Sequence, residues 1–115
     1  MSELQRLRDA LRVFAAEREW DPFHSPKNLA MALSAEAGEL LATFQWLTEA
    51  QSRDPSPEVR SAADEEIADV LLYLIRLSDK LGIDPIAAAH RKLERNAEKY
   101  PVDKARGTSR KYTEF

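Results

Sequence analysis

Apolar positions return every three or four residues along most of this chain, and that period predicts helices rather than strands. Leu4, Leu7, Leu11 and Phe14 share one face of a first helix. Ser2 and Gln5 open it at capping-box spacing, and it is expected to run to about residue 18. "WDPFHSP" then interrupts the pattern with two prolines. Ser25 followed by Pro26 is a helix start, because a cap precedes a proline placed where its missing amide is not needed. The second helix is expected to end near residue 47. Ser56 and Pro57 repeat the signal for a third, which reaches Leu81 and is closed by Gly82. Asp84 and Pro85 open a fourth that ends near Lys99, ahead of Pro101. "TEAQSRDPSP" reads as the loop between the second and third helices, and "VDKARGTSRKYTEF" as an aperiodic tail in which basic residues outnumber acidic ones. The expected fold is all-α, with one four-helix domain over residues 1–100 and a basic C-terminal tail over residues 101–115.

The third helix carries a consequence for assembly. At roughly 25 residues and 1.5 Å per residue it is close to 38 Å long. A compact domain of this size has a radius of gyration near 13 Å. A helix that long projects beyond its own core, so the bundle is expected to be completed by oligomerisation.

Two helices interrupt their apolar pattern with acids. Glu36, Glu39, Thr43 and Trp46 follow one another at steps of three, four and three, which puts them on one face of the second helix. Glu66, Asp69 and Tyr73 do the same on the third. Leu33, Leu40, Leu41 and Leu47 flank the first set, and Ile67, Val70, Leu71, Leu74 and Leu77 the second. Two readings stand on spacing alone. One is a pair of solvated faces, since carboxylates three apart are common on exposed helices. The other is a shared cleft: like charges this close repel, and four facing carboxylates offer the hard oxygen ligands that suit Mg²⁺ or Mn²⁺.

Composition narrows the chemistry. The chain is 43% hydrophobic and 32% charged with a net charge of −3, which does not fit a nucleic-acid binder built on a basic surface. No apolar run approaches the ~20 residues of a membrane span, and the polar N-terminus is no secretory signal, so the cytoplasm is the expected compartment. With no cysteine there is no disulfide or thiolate metal site. Neither His24 nor His90 has a glutamate three residues before it, which removes the Glu-x-x-His pairs of di-iron bundles, and two scattered histidines do not make a zinc site. Magnesium keeps waters and is completed by phosphates, so a carboxylate cluster points to a polyphosphate ligand. No glycine-rich phosphate loop is present. Lys92, Asn96 and Lys99, at steps of four and three on the fourth helix, either face such a ligand or form an ordinary exposed face.

E-x-x-E at 36–39, then 26 intervening residues, then E-x-x-D at 66–69, resembles the MazG-like all-α nucleoside triphosphate pyrophosphohydrolases. "FAAEREW", "FHSPKNLAMAL", "EAGEL", "FQW", "EEIADVLLYL" and the closing "YPV…ARGTSRKYT" are similar to its dCTP pyrophosphatase branch, over most of the chain. The resemblance implies hydrolysis of a deoxynucleoside triphosphate to the monophosphate and pyrophosphate with Mg²⁺, in the service of nucleotide-pool sanitation. It implies that Glu36, Glu39, Glu66 and Asp69 are catalytic and hold the metal. It further implies that Trp20, His24 and Trp46 shape the base pocket, that Tyr73 contacts the nucleotide near the sugar, and that Lys92 and Asn96 reach phosphate. It also implies a homo-oligomer, a tetramer or dimer.

One position departs from the branch. The animal dCTP enzymes carry a histidine three residues before "FAAER", where this chain has Leu11. Base discrimination depends on hydrogen bonds to the base edge, so dCTP or a modified dCTP shares the field with other canonical or damaged triphosphates. A different class of reading is a non-catalytic helical oligomer that binds nucleotide or a protein partner; such a bundle has no use for the carboxylate quartet.

Overall fold

The computed structural model describes residues 1–115, and every regular element in it is helical. The chain divides into two compact units, Met1–Gly82 and Ile83–Phe115. No helix is long and apolar enough to cross a membrane.

The first unit holds α1 (Glu3–Glu17), α2 (Pro26–Phe44), α3 (Glu49–Arg53) and α4 (Pro57–Lys80). The expected start signals are realised in geometry. The Ser2 hydroxyl accepts from the Gln5 amide at 3.2 Å while the Gln5 side chain accepts from the Ser2 amide at 2.9 Å. The Ser25 and Ser56 hydroxyls accept from the amides of Asn28 and Val59, without the reciprocal bond. At the other end of α4, Gly82 adopts φ 66°, the left-handed conformation that stops a helix at little cost to glycine. α4 is the central helix and packs against both α2 and α1.

Two boundaries differ from expectation. α2 stops at Phe44 rather than near residue 47, and the segment read as a loop contains α3. The cause is a second capping box: the Thr48 hydroxyl accepts from the Gln51 amide at 3.1 Å, and the Gln51 side chain accepts from the Thr48 amide at 2.9 Å. Thr48 must leave the helical conformation to cap, so α2 has to end before it.

α1 closes without a glycine. Glu19 takes φ 55°, the Trp20 amide donates to the Ala15 carbonyl at 2.9 Å, and the Glu19 amide donates to Ala16 at 3.1 Å. This is a Schellman closure with a glutamate in the left-handed position. It turns the chain back so that Trp20 meets Phe14 edge-on, with ring centroids 5.7 Å apart.

The core of this unit is thin: Ala15, Leu29, Ala63 and Ile75 are its buried apolar residues. Several of the apolar residues that flank the acids lie outside it. Ile67, Leu71 and Leu74 form one stripe of α4 and are 57%, 41% and 41% exposed, and Leu41 of α2 is 63% exposed.

The second unit holds α5 (Pro85–Lys99) and α6 (Val102–Ala105), followed by a 3-10 turn at Tyr112–Glu114. Asp84 caps α5 by accepting from the amides of Ile86 and Ala87. The segment read as an aperiodic tail folds onto the end of α5: Tyr100 meets Tyr112 and Phe115 edge-on, with centroids 5.9 and 5.7 Å away.

Candidate active site

α2 and α4 run side by side and present their acidic faces to each other. Carboxylate oxygens of Glu36, Glu66 and Asp69 all lie within 4.8 Å of one another. Glu36 and Glu66 are half-buried, and Glu66 Oε2 is fully buried with no hydrogen-bond partner. The crowding shows in the protonation of Glu66, whose pKa is pushed up to about 7. The largest cause is a proton shared with Glu36, followed by partial burial and by the charges of Glu36, Glu39 and Asp69. Glu39, one turn further along α2, is exposed and stands outside the trio, though its charge acts on Glu66.

The residues fit a divalent cation. Three hard oxygen donors converge, one buried oxygen lacks any donor, and the cluster holds a proton well above the ordinary carboxylate range for want of positive charge.

Beside this cluster lies a cavity of about 250 Å³ within the first unit. Leu11 and Phe14 of α1, Trp20 and His24 of the connecting turn, and Asp69 and Tyr73 of α4 line it, with Leu72 and Arg76 completing the α4 wall. Asp69 therefore belongs to both places, joining the carboxylates to an aromatic-walled pocket. The pocket forms because the Schellman turn brings Trp20 back over α1 and the 3-10 turn Asp21–Phe23 delivers His24 alongside it. The Trp20 and His24 rings are 6.3 Å apart at 64°. Arg18 stacks on Phe14, its guanidinium carbon 3.6 Å from the ring centroid.

An ion-pair network underpins the pocket. Arg76 is 6% exposed; its Nε donates to His24 Nδ1 at 3.1 Å and its Nη2 to Asp21 Oδ1 at 2.8 Å. Lys80 also donates to Asp21, and Arg12 donates two bonds to Asp79 at 2.7 and 2.6 Å. The Lys80 ammonium first, then Arg76, holds the Asp21 carboxyl below its usual range, and Arg12 does the same for Asp79. His24 is held below the ordinary histidine range, first by burial and then by the charges of Arg76 and Lys80, against the opposing charge of Asp21.

Of the residues expected from sequence, Glu36, Glu66 and Asp69 converge, and Trp20, His24 and Tyr73 share the adjoining pocket. Trp46 does not line it: it is 87% exposed beyond the end of α2. Lys92 and Asn96 lie on α5 in the second unit, Lys92 exposed and Asn96 half-buried. The charge of Lys99 is the main cause that lowers the Lys92 pKa, with Arg95 adding to it. Sequence reasoning missed Arg76, Phe14 and Asp21. Arg76 had a visible signal, a lone cation inside the apolar run "DVLLYLIRLSD".

Comparison with known proteins agrees with this geometry. A model of the MazG-like family matches residues 31–115. The human dCTP pyrophosphatase 1 is 43% identical over 114 residues, covering 97% of this chain and 67% of the human protein. The mouse dCTP pyrophosphatase 1 is 40% identical over the same shares. The crystal structure of a pyrophosphatase from Archaeoglobus fulgidus DSM 4304 superposes with a TM-score of 0.79 at 43% identity, covering 88% of this chain and 94% of that one.

Proposed function

The chain belongs to the MazG-like family, and from that membership we propose that it is a pyrophosphohydrolase that converts a deoxynucleoside triphosphate, dCTP or a modified dCTP foremost, to the monophosphate and pyrophosphate. The observation that carries this reading is the continuity at Asp69, which is at once a member of the carboxylate trio and a wall of the aromatic pocket. A triphosphate needs both, a place for its charge and a place for its base, at adjoining positions.

Glu36, Glu66 and Asp69, with Glu39 beside them, would hold Mg²⁺ or Mn²⁺. Such an ion, when bound, supplies charge neutralisation for the triphosphate and acidifies water for attack on phosphorus. The chain's own groups do the rest. Trp20 and Phe14 offer ring faces and edges for a base to pack on, and the Tyr73 phenol, one turn beyond Asp69, offers a hydroxyl near the sugar. Asp21 does not line the pocket; it is paired to Arg76 and Lys80 and serves the scaffold rather than the substrate. Phosphate contact by Lys92 and Asn96, and a base contact by Trp46, rest on the family resemblance alone.

The same reading includes assembly. Ile67, Leu71, Leu74 and Leu41 are exposed apolar residues on the two helices that carry the carboxylates. A second copy of this chain is the proposed cover, in a dimer or tetramer, and Trp46 at 87% exposure is the residue with most to gain from it. A cytoplasmic protein with neither nucleic acid nor membrane as a partner is part of the same proposal, supported by a net charge of −3 and by helices too short or too polar to cross a membrane.

Leu11 favours a second reading of the substrate. It lines the pocket and offers no hydrogen bond, so the same chemistry on other canonical or damaged triphosphates follows from an apolar wall. A panel of NTPs and dNTPs with Mg²⁺, with products resolved as monophosphate plus pyrophosphate or diphosphate plus phosphate, decides between them. Turnover of none would remove the enzyme reading and leave the non-catalytic bundle; release of orthophosphate would remove the proposed bond of cleavage.

A further inference from the structure

Arg76 is nearly fully buried on the α4 wall of the pocket, and its guanidinium is directed at a ring nitrogen rather than at a phosphate site. We propose that Arg76 is a positioning residue for base selection: it holds His24 as the neutral tautomer with its proton on Nε2, and so sets a fixed hydrogen-bond donor in the wall of the pocket. This rests on the reading of that pocket as the base site.

The argument is one of donor and acceptor inventory. Arginine has five N–H donors and no acceptor. The 3.1 Å contact from Arg76 Nε to His24 Nδ1 therefore requires a lone pair on Nδ1. A neutral imidazole has one proton, which then sits on Nε2, and an imidazolium with protons on both nitrogens is incompatible with the contact. Arg76 cannot rotate away, because its Nη2 is bonded to Asp21 at 2.8 Å and its Nη1 lies 3.9 Å from Asp79, itself pinned by Arg12. The ring is also set by its edge-on packing with Trp20.

The consequence is a choice of ligand atom. A cationic histidine would serve a phosphate oxygen. A neutral ring loses that charge preference, and in a cavity walled by Phe14, Trp20 and Tyr73 its one N–H serves a carbonyl oxygen or ring nitrogen of a base, whose position then matters. The substrate class is accordingly a triphosphate whose base presents an acceptor toward His24. Arg76 lines the same cavity, but its donors are directed to His24, Asp21 and Asp79, so it acts on the base through His24.

Long-range ¹⁵N–¹H spectra of the histidine rings read the tautomer without turnover, with His24→Gln assigning the signal against His90. At neutral pH the expected pattern is protonated Nε2 and bare Nδ1. Arg76→Lys keeps a cation for Asp21 and Asp79 but loses the planar directed donor. That variant is expected to mix the two tautomers and to raise the KM for dCTP about five- to tenfold, the worth of one hydrogen bond, with kcat changed less than twofold. In a His24→Gln background it is expected to do nothing more, because both substitutions remove the same contact.

A proton on Nδ1, or on both nitrogens, in the wild-type protein overturns the assignment while leaving the enzyme reading intact. Additive effects of the two substitutions, or a fall in kcat equal to the fall in kcat/KM, overturn the action through His24. If Arg76→Lys does not fold, the wild-type spectrum decides the tautomer. A dCTP titration then decides the donor, since an unmoved His24 Nε2 signal on binding overturns it. Absence of wild-type turnover on every triphosphate, with the expected tautomer present, instead removes the enzyme reading and the selection built on it.

Discussion

Glu36 on α2 and Glu66 on α4 bring carboxylate oxygens within 4.8 Å of each other, and Glu66 Oε2 is buried there without a partner. The pair is stable without a cation only by keeping a proton, which is why the Glu66 pKa is pushed up to about 7. The sign of the pH dependence follows. A carboxyl whose folded pKa is raised stabilises the fold below its unfolded pKa, and that contribution is lost as pH rises through about 7. Metal-free protein at pH 8 therefore carries a repulsion that it lacks at pH 4. Glu66→Gln removes that repulsion, so in chelator its melting temperature should exceed the wild type's at pH 8 and match it near pH 4. The variant should also lose at least about 100-fold in kcat and no longer be stabilised by Mg²⁺. Thermal denaturation with and without Mg²⁺ at both pH values checks the stabilities, and steady-state turnover checks kcat; equal melting temperatures at pH 8 would show that the carboxylates do not repel.

A stability gain is available at the end of α1. Glu19 sits at φ 55° in a Schellman turn, where a side chain costs about 1 kcal/mol relative to glycine. Glu19→Gly should raise stability by about 0.5–1 kcal/mol, read as a higher denaturant midpoint at unchanged slope. A loss of stability would mean that the glutamate side chain contributes something its backbone strain conceals.

Most of the helix starts were legible because caps are local chemistry: a serine or aspartate and a following proline determine an N-terminus with no help from the rest of the chain. The α3 start was equally local, since Thr48 and Gln51 have capping-box spacing, and it was overlooked inside a proline-rich segment. The acidic faces were legible from period alone. Their convergence was not, because periodicity fixes a residue's face but not the neighbour it meets. Glu36, Glu66 and Asp69 close into a trio while Glu39 stays exposed, which depends on the offset between α2 and α4. Arg76 shows the converse. Its place in an apolar run is a signal of burial that the sequence reading did not use, and only the turn that carries His24 and Asp21 reveals what it holds.

The exposed stripe of α4 tests the assembly. Ile67, Leu71 and Leu74 are spaced four and three apart, and each is at least 41% exposed in a unit with four buried apolar residues. Wild-type protein should scatter light as a dimer or tetramer. Ile67→Lys combined with Leu41→Lys should shift the mass toward a single copy, and the melting temperature should fall by several degrees as the covered apolar area is lost. A wild-type protein that runs as a single copy at micromolar concentration would exclude the interface.

Leu11 is the remaining lever on the substrate, and it faces the same cavity as Trp20, His24 and Tyr73. An apolar residue there discriminates between bases only by shape, which is worth little between pyrimidines of similar size. Leu11→His puts a donor and an acceptor into that wall. A ring nitrogen that accepts from the cytosine amino group has no such donor on thymine, and one hydrogen bond is worth about 1 kcal/mol or somewhat more, so in that orientation the ratio of kcat/KM for dCTP over dTTP should rise about tenfold. Because the carboxylates are untouched, the change should enter through KM, with kcat for dCTP nearly constant. Competition assays with the two triphosphates in one mixture measure the ratio directly. An unchanged ratio would mean that the base does not reach the α1 wall, and it would move base recognition to the Trp20 and His24 side of the pocket.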